Sequence, residues 1–261
     1  MENYLFVNGK KIPLAEDQIK MTAIAAAIPL SNEQMQAAGL LGARSALEIS
    51  KIVQSGEARE HFRPGEVVNI NGIEAEVIGF NHDKSELSPS RPTVTFMMRQ
   101  VAGKRPFHDG ECPDGWIGSD LRSWMNNEFF FTLPEELRTA ILSVKRITRN
   151  HEGRTFESTD KLFVPTESEM FGSAIWSDHE DGERYEAFGT SESRVRVDED
   201  GEDCPFWCCS SFAGSSGNIC YVYNSGIPLQ HQRGDHLGGR ARLLLSLIFD
   251  RISPPLHGAV I

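Results

Sequence analysis

Trp116-Ile117-Gly118-Ser119-Asp120-Leu121-Arg122-Ser123-Trp124-Met125-Asn126-Asn127 is the stretch on which the reading of the fold turns. Ser119 can accept a bond from an orphan amide of a first helical turn, so a helix is predicted to open there. Leu121, Trp124, Met125 and Phe129 then fall on one face at three- and four-residue steps, the spacing of a helix that buries one side. A buried indole N–H needs an acceptor, and Arg122 and Asn126 at helical spacing can supply hydrogen bonds and an ion pair to such a core. Trp116, Arg122, Trp124 and Asn126 are therefore read as structural.

Outward from this helix the texture is β with short helices. Val67–Phe80 carries Asn71-Gly72 between apolar flanks and is predicted to be a hairpin, with Thr93–Met98 as the next strand. Leu133-Pro134-Glu135-Glu136 opens a further short helix, with acids placed to complement its dipole. Val144–Arg149 and Leu162–Val164 read as strands, and Thr159 and Asp160 as residues fixing a turn before the second. The acidic, glycine-punctuated run from Ser177 to Asp203 reads as a long surface loop. Phe206–Cys209, Ile219–Tyr223 and Leu243–Ile248 read as strands separated by small polar residues.

The first 62 residues differ. Leu5–Ile12 reads as a hairpin on Asn8-Gly9, and Ser31-Asn32-Glu33-Gln34 as a capping box opening a helix to about Val53. The apolar positions of that helix (Met35, Leu40, Leu41, Ala43, Leu47, Ile49, Ile52) drift around it, so it should pack on the main domain or on another subunit. Gly56 ends it and Pro64-Gly65 marks a boundary. The expected organisation is 1–62 as an attachment or oligomerisation region, through which a homo-oligomer could form, and 63–261 as the main domain.

Composition narrows the function. A net charge of −11 repels a phosphate backbone or an anionic membrane on average, which argues against nucleic-acid binding. The longest apolar run, Met21–Leu30, is mostly alanine and far short of a membrane span, so membrane insertion is not expected. The N-terminus lacks a basic start and a long apolar centre, so the chain is expected to be made in the cytoplasm without a signal peptide, with association with a virion left open. Five cysteines, an odd number without framework spacing, read as reduced thiols.

Four pieces, in order, resemble a family of uncharacterised proteins from Gram-positive gut bacteria and their phages. They are Gly65–Val77, the Trp116–Asn127 helix, Thr159-Asp160-Lys161-Leu162-Phe163-Val164-Pro165 running to Glu169, and Phe206-Trp207-Cys208-Cys209-Ser210-Ser211 with Tyr221–Gly226 and Gly238-Gly239-Arg240. The third is similar to the family's T-D-K-x-F-L-L-S-x-x-E segment, and the last to its W-W-L-R-S-P and G-V-R-P-A segments. Cys208-Cys209 stands where the family has Leu-Arg, and Arg240-Ala241-Arg242-Leu243 where it has Val-Arg-Pro-Ala. The resemblance implies an α+β, C-type-lectin-like domain of the formylglycine-generating-enzyme type. It has twisted antiparallel strands, two or more short helices and long loops, with Trp207 part of the scaffold. In some relatives diversity-generating retroelements rewrite the late segment.

Under that resemblance the late loops are the expected binding surface: Ser210, Ser211, Tyr221, Tyr223, Asn224, His231, Arg233 and His236. Their Tyr, Ser, Asn and His content suits an adaptable contact surface and equally an ordinary loop. The first reading is a ligand-binding or display protein of phage or prophage origin that takes a protein or glycan. The second is a structural virion or assembly component. The third is a thiol-dependent enzyme, which needs a redox-active thiol among Cys204, Cys208, Cys209 and Cys220. Adjacent strand cysteines point to opposite faces, and no C-x-x-C pair accompanies them, so neither a metal nor a cofactor is expected. Arg233-Gly234-Asp235 reads as a glycine turn. Asp198–Asp203 reads as a solvated acidic loop, with calcium binding left open. Glu167 and Glu169 carry no specificity by themselves, and no nucleophile elbow or phosphate loop occurs.

Overall fold

A computed structural model describes residues 4–7, 10–13, 44–86, 88–101, 105–198, 200–232 and 246–249. Strands β1 (Tyr4–Val7) and β2 (Lys10–Pro13) pair Val7 with Lys10, the two-residue hairpin expected for Asn8-Gly9. Residues 14–43, and with them the capping box at Ser31, lie outside the described residues. The helix expected to run unbroken to Val53 instead starts at Ala46. Arg44 is bridged in extended form to Ile70, and Ser45 is the N-cap, its hydroxyl accepting from the Glu48 amide. Gly56 closes the helix in the left-handed conformation, as expected.

β3 (Val67–Ile70) and β4 (Ile73–Phe80) form the predicted hairpin. Asn71 and Gly72 have φ of 50° and 90°, the double positive that the tight turn needs and that asparagine and glycine tolerate best. The Asn71 side chain also accepts from the Ala46 amide at 2.8 Å, tying the turn to the start of the preceding helix. β5 (Val94–Met98) pairs with β4, and β13 (Ser246–Phe249) with β5, giving an antiparallel sheet in the order β13-β5-β4-β3. All of β5 is buried.

The Ser119-capped helix covers Asp120–Trp124 and then widens into a π turn, Met125–Phe129. The cause sits at Asn126, whose side-chain NH₂ takes the Arg122 and Leu162 carbonyls while its oxygen accepts from the Lys161 and Leu162 amides. Helix Glu135–Ala140 follows, then β6 (Val144–Arg149) paired with β7 (Thr155–Asp160). Leu162–Val164, expected as a strand, is buried chain with a single β-bridge residue, Phe163, and the full strand is Thr155–Asp160 just before it. One face of that strand is exposed and the residues buried on the other, Ser158 and Asp160, are polar, so it shows no apolar alternation and reads as loop. Asp160 ends the strand and makes side-chain bonds instead of fixing a turn.

Helix Glu167–Phe171 is held by a capping box between Thr166 and Glu169. The described residues of the run Ser177–Asp203 are irregular apart from a single 3₁₀ turn and the short pair β8 (Arg196–Val197) and β9 (Asp203–Cys204). It is not a surface loop throughout, because Tyr185, Phe188 and Arg196 are buried in it. β10 (Phe206–Ser211), β11 (Asn218–Val222) and β12 (Pro228–Gln232) form the last antiparallel sheet, of which β12 was not foreseen. The chain is thus α+β, with small antiparallel sheets and short helices. Ala46, Ile49, Val53, Ala58 and Phe62 share one core cluster with the sheets that follow, so the helix Ala46–Ser55 docks on this domain.

Candidate functional site

The Trp116 network is internal. Asp160, fully buried, accepts from Trp116 Nε1 at 2.9 Å, Arg122 Nε at 2.6 Å and Ser158 Oγ at 2.7 Å. Trp124 is half-buried under the Arg105 guanidinium, 4.2 Å from its ring centroid. Trp207 is buried, donates to the Arg105 carbonyl and packs edge-on against Phe107 and Tyr221. These side chains hold the β6–β7 pair, the helix and β10 together.

A cleft of about 840 Å³ opens between residues 81–86, β6 and the 181–183 segment. Its floor is a buried polar network that the sequence reading did not identify. Arg146 NH1 donates to Asp83 Oδ1 (2.9 Å) and Glu169 Oε1 (2.7 Å), and NH2 to Glu169 Oε2 (2.5 Å). Asp83 Oδ2 accepts from Tyr185 OH (2.6 Å) and Thr95 Oγ1 (2.7 Å). Burial alone would raise the Asp83 carboxyl, but His82, Arg146 and the Tyr185 hydroxyl together pull it down to about 2. Burial also disfavours the Arg146 cation, yet Glu169 and the other oxygen groups around it hold it well above its ordinary value. Tyr185 is pushed well above the ordinary phenol range by burial and by Asp83, so it is a hydrogen-bond donor and not a base.

His82, Asp83 and Glu169 each bring a possible ligand atom to within 4.8 Å of one another. The hydrogen bonds argue against a metal there. Each of the four carboxylate oxygens already accepts a donor, and the guanidinium stands as the cation between the two acids. Glu167 is the neighbouring case. Fully buried, its carboxylate accepts from the Ile175, Trp176 and Ser177 amides and from the Ser177 hydroxyl at 2.8–3.1 Å, which fixes the 172–177 turn. The signal that could have found both acids is local: Thr166-x-x-Glu169 is a capping-box pattern between apolar runs.

The expected late-loop residues separate. Ser210 and Ser211 are buried, and Ser210 Oγ accepts from the Glu167 amide. Tyr221 is buried against Trp207. Tyr223 is exposed and Asn224 half-buried at the β11–β12 turn; His231 lies on β12, and Arg233 and His236 lie outside the described residues. The exposed group there is larger than expected. Ile175, Trp176, Tyr223 and Ile227 are all exposed, and Trp176 Nε1 donates to the Pro228 carbonyl on the outer edge of β12. Phe212 lies 6.3 Å from the Trp176 ring, and Asn218 donates to Gln230 beside it. The turn itself is pinned, because Arg194 donates to the Gly226 carbonyl, and a Cβ at Gly226 (φ 75°) would stand 1.9 Å from the Ser191 oxygen.

The remaining candidates turn inward. Asp198 Oδ1 accepts from the Asp200 and Glu202 amides of its own turn. All five cysteines are buried thiols, and burial pushes those of Cys208 and Cys209 far up. No helix among the described residues is long and apolar enough to cross a membrane.

The arrangement is that of a small α+β module with fixed internal charges and exposed apolar side chains at the β11–β12 turn and at Ile175-Trp176. Residues 93–247 match the family model described as Domain of unknown function (DUF6273), and the chain belongs to that family. No curated protein and no solved structure gives a significant match to it.

Proposed function

We propose that this chain is a ligand-binding module that engages a glycan or protein through the β11–β12 turn and the adjoining Ile175-Trp176 segment. One observation carries the reading. Four large apolar or aromatic side chains are exposed on backbone that Glu167, Arg194 and the Pro228 carbonyl hold still. Rigid aromatic contact area loses little entropy on binding, so a preformed surface of this kind favours affinity. The Trp176 indole spends its N–H inside the chain and its ring is part-exposed, while the uncharged Asn224 and Gln230 are half-buried on the β11–β12 hairpin. That chemistry suits a sugar ring better than a charged partner.

The fold reading that accompanies this is C-type-lectin-like. It is supported by β13 returning to the sheet of β3, β4 and β5, which brings the ends of the domain together and leaves the late turns outside. Display in many copies, as on a phage or prophage particle, would compensate for a weak single site. The buried, high-pKa thiols of Cys208 and Cys209 make the thiol-enzyme reading the less supported one, since the thiolate is the nucleophile.

The test is a glycan array probed with the full chain and with Trp176→Ala and Tyr223→Ser, after near-ultraviolet circular dichroism shows each variant folded. Retained glycans should lose about tenfold or more in each variant, the cost of removing a buried aromatic contact at an interface. Glycan hits that survive both substitutions would overturn the site. A complete absence of hits would overturn the glycan reading and leave a protein ligand as the alternative.

A further inference from the structure

We propose that His82 is a proton-operated latch: its imidazolium clamps the Gly182–Glu186 segment onto the Asn81–Asp83 turn, and losing the proton loosens that wall of the cleft. The tautomer follows from the partners. His82 Nε2 lies 2.7 Å from the Glu183 carbonyl oxygen, which can only accept, so Nε2 carries a hydrogen. Nδ1 is buried with no hydrogen-bond partner and lies 3.6 Å from Asp83 Oδ2. In the neutral ring, Nδ1 would therefore turn a lone pair towards a carboxylate in a place water does not reach. A second proton converts that repulsion into an N–H directed at Asp83.

The charges around the ring favour the same state. Asp83 and Glu169 are buried with Arg146 as the cation between them, which leaves one negative charge in excess. The other charged groups nearby are already engaged or lie at the surface. Arg149 pairs with Asp181, Arg59 with Glu186, and the side chains of Lys84 and Glu183 are exposed. His82 is thus the group placed to neutralise the excess. Burial opposes its charge, but Asp83, then Glu169 and the Glu183 carbonyl, outweigh that and raise its pKa. The ring also stacks on Tyr185 with centroids 3.8 Å apart, so a movement of His82 is felt by the residue that donates to Asp83.

A histidine whose pKa is raised on folding stabilises fully below the unfolded value of about 6.5, and that contribution is lost as pH rises through the folded value. The latch is therefore closed in acid and opens as pH rises through the folded midpoint, which lies above the unfolded one. The amides that report it are Tyr185, bonded to the Glu169 carbonyl, and Ala187, bonded to the Ile78 carbonyl.

The experiment is a histidine-labelled NMR titration of the full chain, with amide hydrogen exchange corrected for intrinsic base catalysis. His82 should titrate above about 6.5, and protection of the Tyr185 and Ala187 amides should fall as it does. The fall should be about tenfold for each pH unit by which the His82 midpoint exceeds that of an unfolded histidine. In His82→Gln, which keeps an N–H for the Glu183 carbonyl, the corrected protection should not change over that range. A His82 that is already neutral at about pH 6.5, or protection that ignores its titration, overturns the proposal. Should the variant fail to fold, the wild-type titration and exchange decide by themselves.

Discussion

Arg146 is the residue whose removal the fold should tolerate least. Its guanidinium is the cation between two buried carboxylates, and deleting it leaves both uncompensated in low dielectric. Arg146→Met is expected to cost about 3–5 kcal/mol, read as the shift in a urea unfolding midpoint at neutral pH. Asp83 should set part of the acid limit. With its folded pKa depressed to about 2 from 3.8, it stabilises above the unfolded value, and that contribution disappears as pH falls towards 2. Unfolding free energy measured against pH should drop through this window in the wild type and less steeply in Asp83→Asn. An acid limb of the same slope in both would remove Asp83 from the account.

Single elements show what local sequence can and cannot specify. Gly226→Ala places a Cβ 1.9 Å from the Ser191 oxygen at a φ of 75°. It should cost at least about 1–2 kcal/mol in thermal unfolding from the backbone alone, and displace Tyr223 and Ile227, so any glycan retained under the proposed function should be lost. The Asn71-Gly72 hairpin, the Ser119 cap and the Gly56 stop were all legible, because each rests on one residue's chemistry within a few positions. The strand Thr155–Asp160 was not, since its inner face buries the polar Ser158 and Asp160 and so leaves no apolar period. The cleft floor was hidden for a different reason. Its partners are far apart in the chain, with Asp83 separated by 63 residues from Arg146 and by 102 from Tyr185. Tyr223, read as the end of a strand, lies exposed beside Asn224 at the β11–β12 turn, whereas Trp176 was passed over because the glutamate that fixes its turn looked like any surface acid.

At the scale of the whole molecule, the Pro64-Gly65 boundary can be tested by where stability is lost. Ile49, Val53 and Phe62 are buried in the same core as the sheets after it. Each such side chain is worth about 1.5–3 kcal/mol, so together they approach the whole margin of a domain. A fragment of 63–261 should therefore unfold far more readily than one of 44–261, as measured by chemical denaturation of the two side by side. Equal midpoints would make the helix Ala46–Ser55 an accessory.

The burial of every sulfhydryl has a consequence for studying this molecule. Cys112 sits beside the Trp116 turn, Cys204 on β9, Cys208 and Cys209 on β10 and Cys220 on β11, and none is accessible in the folded chain. A water-soluble thiol reagent can react with them only when the chain around them opens. The molecule thus carries five native stopwatches. Quenched at intervals and read by mass, they would time the opening of the late sheet and of the Trp116 turn separately, without an engineered label.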